Sequence, residues 1–100
     1  MADKAEEARR LLSDVDSQKA FWLYGGKVLR NLNDLSDALK SMTEETFKYH
    51  VNKEKNDFAN WINDVICDID LAKDLRKLKT REVISKVVEK RVSDLKKAAK

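Results

Sequence analysis

From Asp57 onward the apolar residues fall at Phe58, Trp61, Ile62, Val65, Ile66 and Ile69. This is the i, i+3, i+4, i+7, i+8 spacing that lines one face of an α-helix. Opposite the stripe lie Asn60, Asn63, Asp64 and Cys67. Asn56 stands immediately before it, where its side-chain oxygen can accept from open N–H groups of the first turn. Asp57 then sets a negative charge at the positive end of the helix dipole. Trp61 lies mid-stripe and is expected at the centre of the core, where truncation to Ala costs about 3 to 5 kcal/mol.

The rest of the chain has to be compatible with that helix, and its composition is. Proline is absent and the two glycines are adjacent, at Gly25 and Gly26. That favours helices joined by short polar connections over a turn-rich sandwich or barrel. With 100 residues, 42% of them hydrophobic and 39% charged, the chain reads as one domain with a single core and a well-solvated surface. The expected class is mainly α, a compact bundle of about five or six short helices with room for a small β-hairpin at residues 21–30. No apolar run exceeds the five residues Ala20 to Tyr24. Neither a membrane span nor the apolar core of a signal peptide is therefore expected, and a cytoplasmic location is. Cys67, the lone cysteine, has no partner for an internal disulfide and reads as a small side chain at the helix edge rather than a reactive thiol.

In order, residues 1–16 read as a peripheral N-terminal helix, 20–79 as the core and 80–100 as a basic C-terminal helix. The first helix spans Ala2 to Leu12, with Glu6 and Arg10 as an i, i+4 pair and Leu11 and Leu12 as anchors. Ser13, Asp14, Asp16 and Ser17 then interrupt it. Phe21 to Arg30 fits two foldings. One is a hairpin with Gly25-Gly26 in a two-residue type I′ turn, Phe21 and Leu23 facing the helices and Trp22 and Tyr24 facing away. The other is one long helix from Ser17 to Met42 that tolerates both glycines at about 1 kcal/mol each. The hairpin is favoured.

Asn31 caps a helix carrying Leu32, Leu35, Leu39 and Met42, with Asp34 as a capping-box acid. Thr43 caps a short helix anchored by Phe47 and Val51 and ending near Asn52. The central helix runs to Ile69, after which Asp70 caps a helix through Leu71, Ala72, Leu75 and Leu78. Thr80 caps the last helix, whose apolar face is Ile84, Val87, Val88, Val92, Leu95 and Ala99. Arg91 interrupts that face, with its stem on the core and its guanidinium reaching for a carboxylate or solvent.

The run Phe47, Tyr49-His50-Val51, Asn56-Asp57-Phe58-Ala59, Trp61-Ile62, Asp64-Val65, Asp68 and Leu71-Ala72 resembles a small archaeal and bacterial domain family of unknown function. Phe21, Gly26, Leu32, Leu35 and Leu39 fit the same pattern, so the likeness covers roughly residues 20–80. His50, Asn56, Asp57, Phe58, Trp61 and Asp64 are its structural signature. Cys67 departs from it, standing where the family pattern has a glycine. The resemblance implies a mostly helical module of prokaryotic, archaeal origin and brings no activity with it.

Chemistry is sparse. His50, the single histidine, and the acids Asp57, Asp64, Asp68 and Asp70 match no metal-ligand spacing, and the run around Asp64 to Asp70 lacks the glycine and glutamate of an EF-hand loop. His50 is expected to bond a helix end or Asn56. Its rival role is a small-ligand or metal site with Asn56 and Asp57. No nucleophile triad, phosphate loop or dinucleotide fingerprint is present, so no catalytic residue, cofactor or metal is assigned and an enzyme is not expected.

Charge is the informative feature. Residues 1–70 hold ten Lys and Arg against fourteen Asp and Glu, or −4, and residues 71–100 hold eleven against four, or +7. Lys86, Lys90 and Lys97 fall on one flank of the last helix, extended by Lys96 and Lys100. With Lys77, Lys79 and Arg81 they are the candidate contacts to DNA or RNA phosphates, a sequence-independent mode. The bland alternative is a solvated face interleaved with Glu82, Glu89 and Asp94. The alternative partner is protein, including a second copy of the chain, engaged through Ile84, Val88, Val92 and Leu95.

Overall fold

The computed structural model describes residues 3–100, so Ala2, expected at the start of the first helix, lies outside them. Side chains from Asp, Asn and Thr punctuate this proline-free chain. Asp3 accepts from the Ala5 N–H ahead of α1, Lys4–Leu12, and Asp16 opens a 3₁₀ turn, Ser17–Lys19. Asn31 caps α2, Leu32–Ser41, Thr43 caps α3, Glu44–His50, and Asn56 caps α4, Asp57–Trp61. Asp68 caps α5, Ile69–Arg76, and Thr80 caps α6, Arg81–Ala98. Each oxygen satisfies an N–H that the first helical turn leaves open, which is why the helices start where they do.

The main packing is of α6 on α2 and on α1, while α4 packs with α5, which also meets α6. Ile84, Val88, Val92 and Leu95 of α6 are buried, as are Leu32, Leu35, Ala38 and Leu39 of α2. The first helix is not peripheral: Ala8 and Leu11 lie in the same core while Leu12 is only half-buried beside it. Its ion pair joins Arg10 to Glu7 at 2.6 Å, one residue nearer than the expected Glu6. The core thus extends beyond residues 20–79 at both ends.

Residues 21–30 form the hairpin, not a continuous helix. β1, Phe21–Trp22, pairs antiparallel with β2, Val28–Leu29, as Phe21 with Leu29 and Trp22 with Val28. The Leu23 N–H continues the ladder to the Lys27 carbonyl at 2.8 Å, so the loop is the three residues Tyr24, Gly25 and Gly26 and not a two-residue turn on the glycines. Both glycines hold φ above +100°, a region that side-chain-bearing residues rarely enter. Phe21 and Leu23 face the core and Trp22 and Tyr24 face out. Asp34 accepts from the Arg30 N–H at 3.0 Å, and so ties β2 to α2 instead of completing a capping box with Asn31.

The central stripe breaks before its expected end. After Trp61 the backbone widens into a π-helical turn, Ile62–Ile66, and Cys67 closes it in the left-handed region at φ 68°. The N–H groups of Cys67 and Asp68 both reach the Ile62 carbonyl, at 2.7 and 3.2 Å. This helix stop normally uses glycine. Ile69 consequently leaves the stripe for the exposed side of α5, and Asp68 takes the capping role expected of Asp70. Phe58, Trp61, Ile62 and Ile66 stay buried, with the Trp61 indole N–H donating to the Lys19 carbonyl at 2.8 Å.

A left-handed non-glycine residue is strained by about 1–2 kcal/mol, against about 0.5–1 kcal/mol of extra chain entropy lost by glycine. We therefore predict that Cys67→Gly raises the thermal midpoint by about 2 to 6 °C. A lower midpoint would show that the Cys67 Sγ contacts to the Asp64 and Val65 carbonyls outweigh the backbone strain.

Candidate nucleic-acid interface

The buried stripe of α6 fixes which of its side chains face water. Lys86, Lys90, Lys96, Lys97 and Lys100 are all exposed. Lys90 donates to Asp94 at 2.9 Å, an exposed contact that holds the Asp94 carboxyl below the usual carboxylate range. Lys96 donates to Asn33 on α2 at 2.9 Å. Among the described residues, Lys86, Lys97 and Lys100 stand in no ion pair.

The six candidate residues do not share one pocket. Lys97 lines a shallow groove between α2 and α6 with Lys40, Lys96 and Lys100, opposed by Asp37 and Glu89. Lys40 also pairs with Glu89 at 3.6 Å. At the other end of α6, Lys79 lies with Lys53, Lys55 and Arg76 around a small depression, and Lys77 is the exposed last residue of the α5 cap. A larger open groove of about 830 Å³ between α3 and the start of α6 has an apolar floor of Phe47 and Val51 and a rim that includes Lys48, Lys53 and Lys79. Lys86, Lys90 and Lys97 bridge these ends along the outward flank of the helix, so the arrangement is a stripe. From Lys86 to Lys97 it extends about 17 Å at 1.5 Å per residue.

Arg81 is engaged structurally. Its Nε donates to Glu44 at 3.0 Å and an Nη to the Leu39 carbonyl at 2.9 Å, pinning the start of α6 to the end of α2 and the start of α3. Arg91 reaches a carboxylate as its position implied, donating through Nε to buried Asp68 at 2.7 Å. Lys40, Lys48 and Lys53 carry no mark of this cluster in the sequence. They come from the acidic part of the chain and join the basic ends only through tertiary packing.

The residues His50, Asn56, Asp57, Phe58, Trp61 and Asp64 have other work. His50 is buried; its Nε2 accepts from the Tyr24 N–H at 3.0 Å, and its Nδ1 lies 2.9 Å from Asp57 Oδ2. An accepting Nε2 places the proton on Nδ1, which therefore donates to Asp57. Asp57 also accepts from Lys55 at 2.9 Å, and that hydrogen bond raises the Lys55 ammonium above its ordinary range. The partner of His50 is thus the first residue of α4 and the hairpin, not Asn56, which instead caps α4 and donates to the Leu75 carbonyl at 3.2 Å. Phe58 is fully buried, and Asp64 is exposed in the π turn, accepting from Asn63. Among the described residues no three His, Cys, Asp or Glu side chains are grouped to hold a metal, and none of their helices is long and apolar enough to cross a membrane.

No family model, curated protein or solved structure matches this chain.

Both ring nitrogens of His50 are committed to hydrogen bonds, so its removal should be felt as lost stability. We predict that His50→Phe, which keeps an aromatic ring beside Phe21 and Phe58, costs about 1–3 kcal/mol in urea unfolding by orphaning the Tyr24 N–H. Zinc added to the wild type should leave the thermal midpoint unchanged. A zinc-dependent rise that disappears in His50→Phe would establish the ligand-site reading instead.

Proposed function

We propose that the protein is a non-enzymatic interaction module that presents the lysine stripe of α6 to the phosphates of DNA, RNA or a ribonucleoprotein, without reading sequence. The supporting observation is how α6 divides its surface. Its apolar residues Ile84, Val88, Val92 and Leu95 are buried against the body, so the helix offers outward a row of lysines in which Lys86, Lys97 and Lys100 are unpaired among the described residues. Lysines at helical spacing act as point charges on a polyanion, and they lack the planar two-pronged geometry that reads base edges. Self-association through the same apolar residues is disfavoured, because it would require pulling α6 out of the core. A cytoplasmic nucleic acid suits a chain whose lone cysteine, Cys67, is a free thiol.

Binding to duplex DNA and to structured RNA, measured by fluorescence anisotropy across a salt series, tests the reading. The affinity should fall on a log-log plot with a slope of roughly −0.9 per engaged phosphate on duplex DNA. Lys86→Glu, Lys97→Glu and Lys100→Glu combined should remove binding at moderate salt and make the residual slope shallower by about 3. Duplex affinity that ignores both salt and the triple substitution would defeat the proposal, as would no binding at low salt together with a concentration-dependent dimer in light scattering.

A further inference from the structure

A second surface, on the hairpin and the end of α3, bears aromatic rings. Trp22 is 71% exposed, Tyr24 47% and Tyr49 51%. The rings of Tyr24 and Tyr49 stack with centroids 4.4 Å apart and planes 23° from parallel. Lys55 Nζ lies 4.8 Å from the centroid of Tyr49, and His50 meets the same ring edge-on. The group is held from below, since the Tyr24 N–H is bonded to His50 and His50 to Asp57. These exposed aromatics are therefore carried on an ordered support rather than on a free loop.

Their surroundings select the kind of occupant. The hairpin segment from Ser17 to Asn33 contains Lys19, Lys27 and Arg30 and no acid. Across the stack, the connection after α3 adds Lys53 and Lys55; Asp57 is engaged by His50 and Lys55, which leaves Glu54 as its unengaged acid. A second copy meeting this patch face to face would bring cations against cations. A polyanion with flat apolar faces has neither difficulty, because unpaired nucleobases stack on aromatic rings while their phosphates meet the neighbouring ammonium groups.

We infer that Trp22 and Tyr24, the latter backed by the stacked ring of Tyr49, form a stacking platform for unpaired bases of single-stranded nucleic acid, with Lys27 at the foot of the same hairpin loop and Lys53 in the connection after α3 for the adjoining phosphates. This extends the reading of α6, which concerns phosphates alone, by adding a preference for single strands. The platform does not depend on α6, because its residues come from the hairpin, α3 and the connection that follows.

The test uses the full chain and an oligothymidylate, with a duplex of equal length for comparison. Trp22 is the exposed one of the two tryptophans, so stacking on it should quench emission while Trp61 continues to report the fold. The single strand should quench and the duplex should not. Trp22→Ala and Tyr24→Ala remove only outward side chains and keep the Tyr24 N–H. Each should weaken single-strand binding about tenfold or more and leave duplex binding unchanged. The Lys86, Lys97 and Lys100 variant should weaken duplex binding yet keep the quench at saturating single strand, so the two surfaces fail separately. Wild-type protein that binds the single strand without quenching overturns the platform, as do aromatic variants that bind it with undiminished affinity. Equal quenching by polyglutamate would assign the patch to acidic peptides, and quenching on concentration alone would assign it to self-association; either result also overturns it.

Discussion

A carboxylate buried as deeply as that of Asp68 must be answered by N–H donors or by a cation, and here both answer it. One oxygen accepts from the Leu71 N–H and the other from the Arg91 guanidinium. Breaking a buried pair of this kind typically costs several kcal/mol, because the remaining charge has no solvent to turn to. The geometry around Asp68 therefore governs what lies on either side of it. The π turn and left-handed Cys67 bring the chain out of α4 and reverse it into α5, and Arg91 fastens the middle of α6 to that reversal. With α6 held there, its apolar stripe completes the core and its lysines are left facing water.

The same logic of fixed supports recurs at the hairpin. A two-stranded ribbon of two residues per strand has little stability of its own. This one is held by Phe21 against His50, Phe58 and Trp61 and by the His50 bond to Tyr24. His50, Asp57 and Phe58 thus build a mount, and what they mount is the exposed face of the hairpin. Basic and aromatic surfaces lie on different elements, each displayed by a buried polar contact.

What the sequence made legible was local. Asn31, Thr43, Asn56 and Thr80 cap helices through bonds to residues three positions on, so the information sits within a few letters. The in-and-out alternation of Phe21 to Tyr24 was equally readable. The break at Cys67 left no mark in the apolar spacing, which continues through Ile69 without a stutter; the one hint of a turn was the glycine that the resemblance led one to expect at that position. Burial of Ala8 could not be foreseen from a short helix dense in charge, since it depends on what α6 brings to it. At the candidate site, the lysines of α6 were legible from periodicity alone. Lys40 and Tyr49 were not, because each joins its cluster only through packing between elements distant in sequence.

The pairing of α1 with α6 also bears on how the molecule is made. Arg9 donates to the carbonyl of Ala99, across nearly the whole chain, and α6 covers α1 and α2 together. Contacts so far apart in sequence slow folding, because the intervening chain must be closed before they reward it. On the ribosome, α1 and α2 emerge with their apolar faces bare and must wait for α6 to be synthesised and to clear the exit tunnel. Until then the nascent chain holds an open seam, and bare apolar surface of that kind favours aggregation.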